Sequence, residues 1–360
     1  MASVRRPQAA ERQRGVALLI VLLILATIAA VGVATTALVT RSVARAQAAQ
    51  TRDAAVWALR GAETAALHLL EAGDGFGRSG AEDEDGTERS GGSRPGASAI
   101  GRVLTLPVGG ASVTVRLDPV ACVNVNAFVT GNAEAYATPP PPGGPGAALF
   151  GDLAVALGGN EPAALRLAEA AADFIDTDDA PNPGGAEDFD LTRRPLPYRT
   201  AGRLLADVSE LRAVPGWDSA TYSALKPYLC AVPSTAPLPI DVNSLRPGDA
   251  PILSAALGGT LPITEVERLI ANRPAGGWPD AASFASVPIV AGVSPNGPPP
   301  VVDVTPSLLK LSGRVRVQGQ TGQEFGMTAL IFDEGGRWRV ISRRFGPVAA
   351  SAFRAPDEDA

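Results

Sequence analysis

From Val16 to Thr40 the chain carries neither a charge nor a proline. As an α-helix this run is about 37 Å long, enough to cross the ~30 Å hydrocarbon core of a bilayer. Within lipid the backbone must satisfy its own hydrogen bonds, and Leu, Ile, Val and Ala supply a helix that does so. Arg5, Arg6, Arg12 and Arg14 precede the run, which predicts a cytoplasmic N-terminus with the remainder of the chain across the membrane. Beyond Arg41 the pattern becomes amphipathic without a break. Ala54, Ala55, Trp57, Ala58, Leu59, Ala62, Ala65, Ala66, Leu67 and Leu69 recur near helical spacing, interleaved with Arg52, Asp53, Arg60 and Glu63. The pattern predicts one helix from about Val16 to Leu70, roughly 80 Å long.

After this helix the period changes. Gly73 to Gly101, with Glu82-Asp83-Glu84-Asp85 and a Ser/Gly run, predicts a solvated loop. Val103, Leu104, Leu106 and Val108 are separated from Val113, Val115 and Leu117 by Gly109-Gly110, which reads as a β-hairpin. Pro139 to Pro145 predicts a stiff linker. Helical patterns follow at Ala147–Leu157 and Glu161–Phe174, then a short helix capped by Ser209, then Ser219–Tyr228. A second helical unit opens at Ile240-Asp241-Val242-Asn243, contains helices at Ile252–Leu257 and Thr264–Asn272, and closes at Trp278-Pro279 and Ala281–Phe284. The chain then returns to β: Leu308–Leu311, Arg314–Val317, Met327–Phe332, a turn at Gly335-Gly336, and Trp338–Ile341.

This order predicts an α+β protein with a long N-terminal helix, an antiparallel sheet, and a large α-helical insertion within that sheet. The expected units are a leader (1–15), a spine helix (16–72) and a loop with the first hairpin (73–128). A first helical insertion (139–235) and a second helical unit (236–300) follow, then closing strands (301–346) and a tail (347–360).

The net charge is −6, which disfavours nucleic acid as the main partner. The two cysteines, Cys122 and Cys230, both follow the membrane run. In an oxidising compartment they can pair and close a long loop, worth about 2–4 kcal/mol. Two buried free thiols is the other reading. His68 is the only histidine, and no serine, cysteine or metal arrangement accompanies it, so an enzyme is not expected.

The densest polar chemistry lies between Asp173 and Asp188. The carboxylates of Asp173, Asp176, Asp178, Asp179, Glu187 and Asp188 must either spread in water or be gathered by a cation. Calcium suits such a loop because it takes six to eight oxygen ligands in flexible geometry. Asp176, Asp178 and Glu187 match positions 1, 3 and 12 of an EF-hand loop, but Pro181 stands where its glycine belongs. The loop is therefore not an EF-hand, and the spacing alone leaves two readings: a calcium site, or a helix end followed by an acidic turn.

The N-terminal junction also has three readings. A cleaved secretory signal has an apolar region of about 7–15 residues, shorter than this run. A plain signal anchor fits the length. The third rests on the basic leader ending in Arg14-Gly15 directly before the apolar helix. This resembles the class III signal cut by prepilin peptidase between Gly15 and Val16.

Taken together, these stretches resemble the K-class minor pseudopilins of the bacterial type II secretion system. The matching residues are Arg14-Gly15 with its helix, Cys122-Val123-Asn124-Val125-Asn126, the Asp173–Asp188 loop and Pro197-Tyr198-Arg199. Asp207-Val208-Ser209-Glu210-Leu211, Ile240-Asp241-Val242-Asn243 and Ser342-Arg343-Arg344-Phe345-Gly346 match as well. The resemblance implies an inner-membrane precursor cut after Gly15 and methylated on Val16, with its soluble part in the periplasm. It further implies calcium near the acidic loop, carried over to Asp176, Asp178, Glu187 and Asp188, and a tip complex with the I- and J-class minor pseudopilins. Most pilin-like proteins place a glutamate at the fifth mature position, which is Ile20 here. A subunit at the very tip has no subunit beyond it whose ammonium such a carboxylate would meet, so Ile20 agrees with a tip role.

One rival belongs to another class. Ile240–Phe284 resembles the helix–hairpin–helix of competence-type DNA receptors. Arg268 and Arg273 are the main phosphate-binding candidates, set against an acidic chain.

Overall fold

The computed structural model describes residues 8–72, 100–129, 144–293, 301–316 and 324–354. The acidic run Glu82–Asp85, linker residues 139–143 and the chain after Arg354 lie outside them. The first helix, α1 (Gln8–Ala72), has 65 residues and is about 97 Å long. It begins earlier than the pattern predicts, because Ala9 to Arg14 are good helix formers and a single interior Gly15 costs only about 1 kcal/mol. The large apolar side chains from Val16 to Val43 are exposed. Among the described residues α1 is the one helix long and apolar enough to cross a membrane.

In the second half of α1 the buried stripe is Ala55, Ala58, Leu59, Ala62, Ala66 and Leu70. Trp57 and Leu69, both in the predicted apolar series, are exposed. At about 100° per residue, position 57 lies roughly 200° round the helix from position 55.

The strands β1 (Val103–Val108) and β2 (Ala111–Pro119) form the predicted hairpin. Gly109 and Gly110 both have positive φ, 56° and 80°, the backbone that a two-residue hairpin turn requires. The helical insertion follows. It holds β3 (Val123–Asn124), α2 (Gly144–Ala156), α3 (Glu161–Ile175), α4 (Asp188–Leu191), α5 (Ser219–Leu225), β4 (Leu229–Cys230) and β5 (Ile240–Asp241). Then come α6 (Ala250–Ala256), α7 (Ile263–Ala271), α8 (Ala281–Ala285), α9 (Pro288–Ala291) and β6 (Val302–Asp303). The chain rejoins the sheet with β7 (Leu308–Arg316), β8 (Glu324–Asp333) and β9 (Trp338–Phe345).

The main sheet has the order β1-β2-β7-β8-β9 and is antiparallel throughout. Strand β7 fuses two segments that the sequence pattern separates. Ser312 and Gly313 stay in register with β2 and β8, and Gly313 lies under α1, where an added Cβ would come 3.2 Å from Leu59 Cδ2. One face of the sheet buries Val113, Val115, Leu117, Leu309, Leu311, Val315, Met327, Ala329 and Ile331 against the α1 stripe. Glu63 is buried on the same helix and pairs with Arg343 of β9, whose Nε donates to Glu63 Oε2 at 2.7 Å.

The insertion has its own core, built on Phe128, Phe150, Leu153, Ile175, Leu211, Ile240 and Phe284. Its root is tied in three ways. Cys122 and Cys230 form a disulfide, and β3 pairs with β4 in parallel. The buried amides of Asn124 and Asn126 bridge distant segments: Asn124 donates to Ser234 O at 2.7 Å, and Asn126 donates to Leu205 O at 2.9 Å and to Val232 O at 2.8 Å. A second parallel pair, β5 with β6, closes the later unit. The short 3-10 helix Val208–Ala213 is capped by Asp207, with Glu210 completing a capping box, so Ser209 is not the cap. Asp207 is the cap because it immediately precedes the first turn and its carboxylate accepts from the Ser209 N–H at 2.9 Å.

Candidate cation site

Helix α3 starts at Asn160, whose side chain accepts from Ala163 N at 3.0 Å, and ends at Asp176. Asp176 thus sits at the negative end of the helix dipole, where a carboxylate is least welcome without a cation. Two residues on, the carboxylate of Asp178 accepts from Ala180 N at 2.9 Å, turning the chain back. The loop then folds over Asp173, which is fully buried and accepts from Asn182 N at 3.0 Å and from the Asn182 side chain. A Cβ at Gly185 would overlap Asp173 Oδ2, so only glycine allows this close return. The return delivers Glu187, 4% exposed, at the start of α4.

One carboxylate oxygen from each of Asp176, Asp178 and Glu187 lies within 4.8 Å of the others. Asp176 Oδ1 and Glu187 Oε1 are buried with no hydrogen-bond donor. Burial, reinforced by the negative charges of Asp178 and Asp173, pushes the Asp176 carboxyl up to about 6. Burial, reinforced by Asp173, Asp176, Asp178 and Asp179, pushes Glu187 up to about 7. Orphaned, mutually repelling carboxylate oxygens of this kind suit a hard cation such as calcium.

Asp188, grouped with these residues by the sequence pattern, is directed elsewhere. Its carboxylate accepts from Thr200 N at 2.8 Å, from Thr200 Oγ1 at 3.1 Å and from Arg199 at 2.9 Å. These bonds hold its pKa below the usual carboxylate range, the backbone N–H of Thr200 foremost. Glu187 is the extended N-cap of α4 and Asp188 its first helical residue, and their side chains leave the chain in different directions.

The phosphate-binding candidates of the rival reading are occupied. Arg268 pairs with Glu265, and Arg273 donates to Val242 O at 3.3 Å and to Leu245 O at 3.0 Å. His68 is exposed near Glu71, at 3.9 Å.

A membrane-length helix whose second half covers one face of an antiparallel sheet, with the rest of the chain projecting as an insertion between the second and third strands, defines a pilin-like architecture. Residues 121–234 and 240–305 both match family models described as type II secretion system (T2SS), protein K. Type II secretion system protein K from Pectobacterium carotovorum subsp. carotovorum is 32% identical over 93% of this chain and 97% of its own. The Klebsiella pneumoniae protein of the same name is 33% identical over the same shares. The chain belongs to the type II secretion system protein K family, and is a minor pseudopilin. Among solved structures, it is similar to a chain of the GspK-GspI-GspJ complex from the enterotoxigenic Escherichia coli type 2 secretion system. The TM-score is 0.65 and the identity 27%, covering 84% of this chain and 100% of that one.

Proposed function

We propose that this protein is a non-catalytic minor pseudopilin at the tip of the type II secretion pseudopilus, where it promotes pseudopilus assembly and so protein export from the periplasm. The observation that carries the reading is the division of α1. Its first half is apolar and exposed, as a membrane anchor must be, and its second half is the backbone of the sheet. The insertion then adds a bulky second body rooted beside the sheet. Such a body suits an end position, because a subunit inside a fibre has neighbours above and below. Ile20 in place of the usual glutamate agrees with that position. The similar chain comes from a complex with GspI and GspJ, and this protein takes the I- and J-class minor pseudopilins as its partners on that ground.

In the same reading, prepilin peptidase cuts between Gly15 and Val16 and methylates the new amine of Val16. The mature chain crosses the inner membrane once, with its soluble part in the periplasm. Calcium is held by Asp176, Asp178 and Glu187, where it supplies the positive charge that gathers three carboxylates and fixes the turn between α3 and α4.

The test is the N-terminal mass of the membrane-extracted protein, made with and without a prepilin peptidase. A peptidase-dependent start at N-methylated Val16 is expected. A start at Met1 or Ala2 in both preparations would return the chain to a simple anchor.

A further inference from the structure

Outside α1, the two most exposed large apolar side chains among the described residues lie on one stretch. Leu196 is 84% exposed and Phe189 is 65% exposed. This stretch is not loosely held. Leu191 is fully buried in the insertion core, Asp188 is tied to Thr200 and Arg199, and the Tyr198 hydroxyl donates to Ala213 O at 2.8 Å. The fold therefore spends firm contacts at both ends to present two apolar groups to solvent.

Its charges complete the pattern. The Arg193 guanidinium stacks 3.3 Å from the centre of the Phe189 ring, and Arg194 reaches only the Tyr198 hydroxyl, at 3.4 Å. Neither forms an ion pair among the described residues, whereas Arg199 is neutralised by Asp188. Asp190 is the one exposed carboxylate between Phe189 and Leu196, so unmatched cations outnumber anions on a chain whose net charge is −6. An exposed aromatic with a stacked arginine is the usual chemistry of an interface anchor.

We propose that the Phe189–Leu196 surface docks an acidic protein segment carrying an apolar anchor. The anchor covers Phe189 and Leu196, while carboxylates on the partner pair with Arg193 and Arg194. A lipid surface fits less well. Electrostatic membrane binding draws on clusters of about 4–8 basic residues, and only two unmatched arginines stand here. The proposal is independent of cation binding at Asp176, Asp178 and Glu187.

The test uses the full chain in phosphatidylcholine nanodiscs and short fluorescent peptides. One peptide alternates Asp or Glu with Leu and Phe; its counterpart carries Lys at each acidic position. The acidic peptide should bind about tenfold more tightly, with an advantage that shrinks at high salt. Arg193→Glu with Arg194→Glu should reverse the preference. Phe189→Ser with Leu196→Ser should weaken both peptides about tenfold. All four side chains are exposed, so the variants should keep the wild-type melting temperature, and if the apolar pair fails to fold the charge reversal alone decides. Equal binding of the two peptides, or a preference untouched by charge reversal, overturns the proposal. So does arginine-dependent capture of phosphatidylglycerol vesicles without peptide binding, which would make the surface a lipid site.

Discussion

At the scale of single residues, the acidic loop shows how burial converts composition into chemistry. Asp179 is exposed and free to face water, but Glu187 is carried inward by the Asp173–Asn182 bonds and the Gly185 return. The pH dependence follows in sign. Without a cation, Asp176 and Glu187 hold their protons up to about 6 and about 7 in the folded chain, against 3.8 and 4.5 when unfolded. Between those limits the folded state binds more protons, so its stability falls as pH rises through the window. Calcium should cancel that fall by compensating the ionised oxygens. Thermal melts should therefore show a midpoint that drops toward neutral pH in chelator and recovers with calcium. Asp176→Ala with Glu187→Ala should abolish the calcium response, and an undiminished response would remove the assignment. Asn124 and Asn126 belong to the same scale and were not legible as anchors. Their partners stand 79 to 110 residues away in sequence, and no local pattern marks such a bond.

At the scale of elements, β9 joins the two bodies of the molecule. Successive strand residues point to opposite faces, so Arg343 reaches Glu63 on α1 while Arg344 reaches Asp207 in the insertion. Glu63 is buried and Arg343 only partly so, which means a lost partner leaves a stranded charge on one side alone. Glu63→Ala should cost about 2 kcal/mol, below the 3–5 kcal/mol for a fully buried pair, because Arg343 can turn toward water. A double-mutant cycle with Arg343→Ala should return a coupling of about 1 kcal/mol or more; additive effects would show that the pair does not fasten the strand to the helix. The hairpin, the order of the late strands and the α2 and α3 helices were legible, because each is a strongly periodic run bounded by glycine or proline. The two-residue parallel pairs β3–β4 and β5–β6 were not, since a strand that short has no period to read.

At the scale of the whole molecule, the insertion leaves the sheet after β2 and returns before β7, so its placement depends on a narrow root. The Cys122–Cys230 disulfide closes a separation of 108 residues at that root. A loop of that size is worth about 4–5 kcal/mol on the chain-entropy account, with strain able to reduce it. Reduction, or Cys122→Ala with Cys230→Ala, should lower the melting temperature, and because the cysteines pack with Val232 and Leu238 against Leu308 of β7, the loss should reach the sheet as well as the insertion. An unshifted transition in calorimetry would contradict this role.

The sequence by itself determined the long apolar helix, the α+β order and the loop in which acidic side chains crowd together. Each rests on local pattern: an uncharged run long enough for a bilayer, a change from helical to alternating period, and repulsion among near neighbours. Tertiary structure alone decided which of the clustered acids face one another. It sent Asp188 to Thr200, turned Trp57 away from the sheet, and paired Glu63 with Arg343 across 280 residues. The physical reason is the same in each case. Side-chain direction is set by the helix phase and by the segment packed opposite, and that segment is brought in only when the chain has folded.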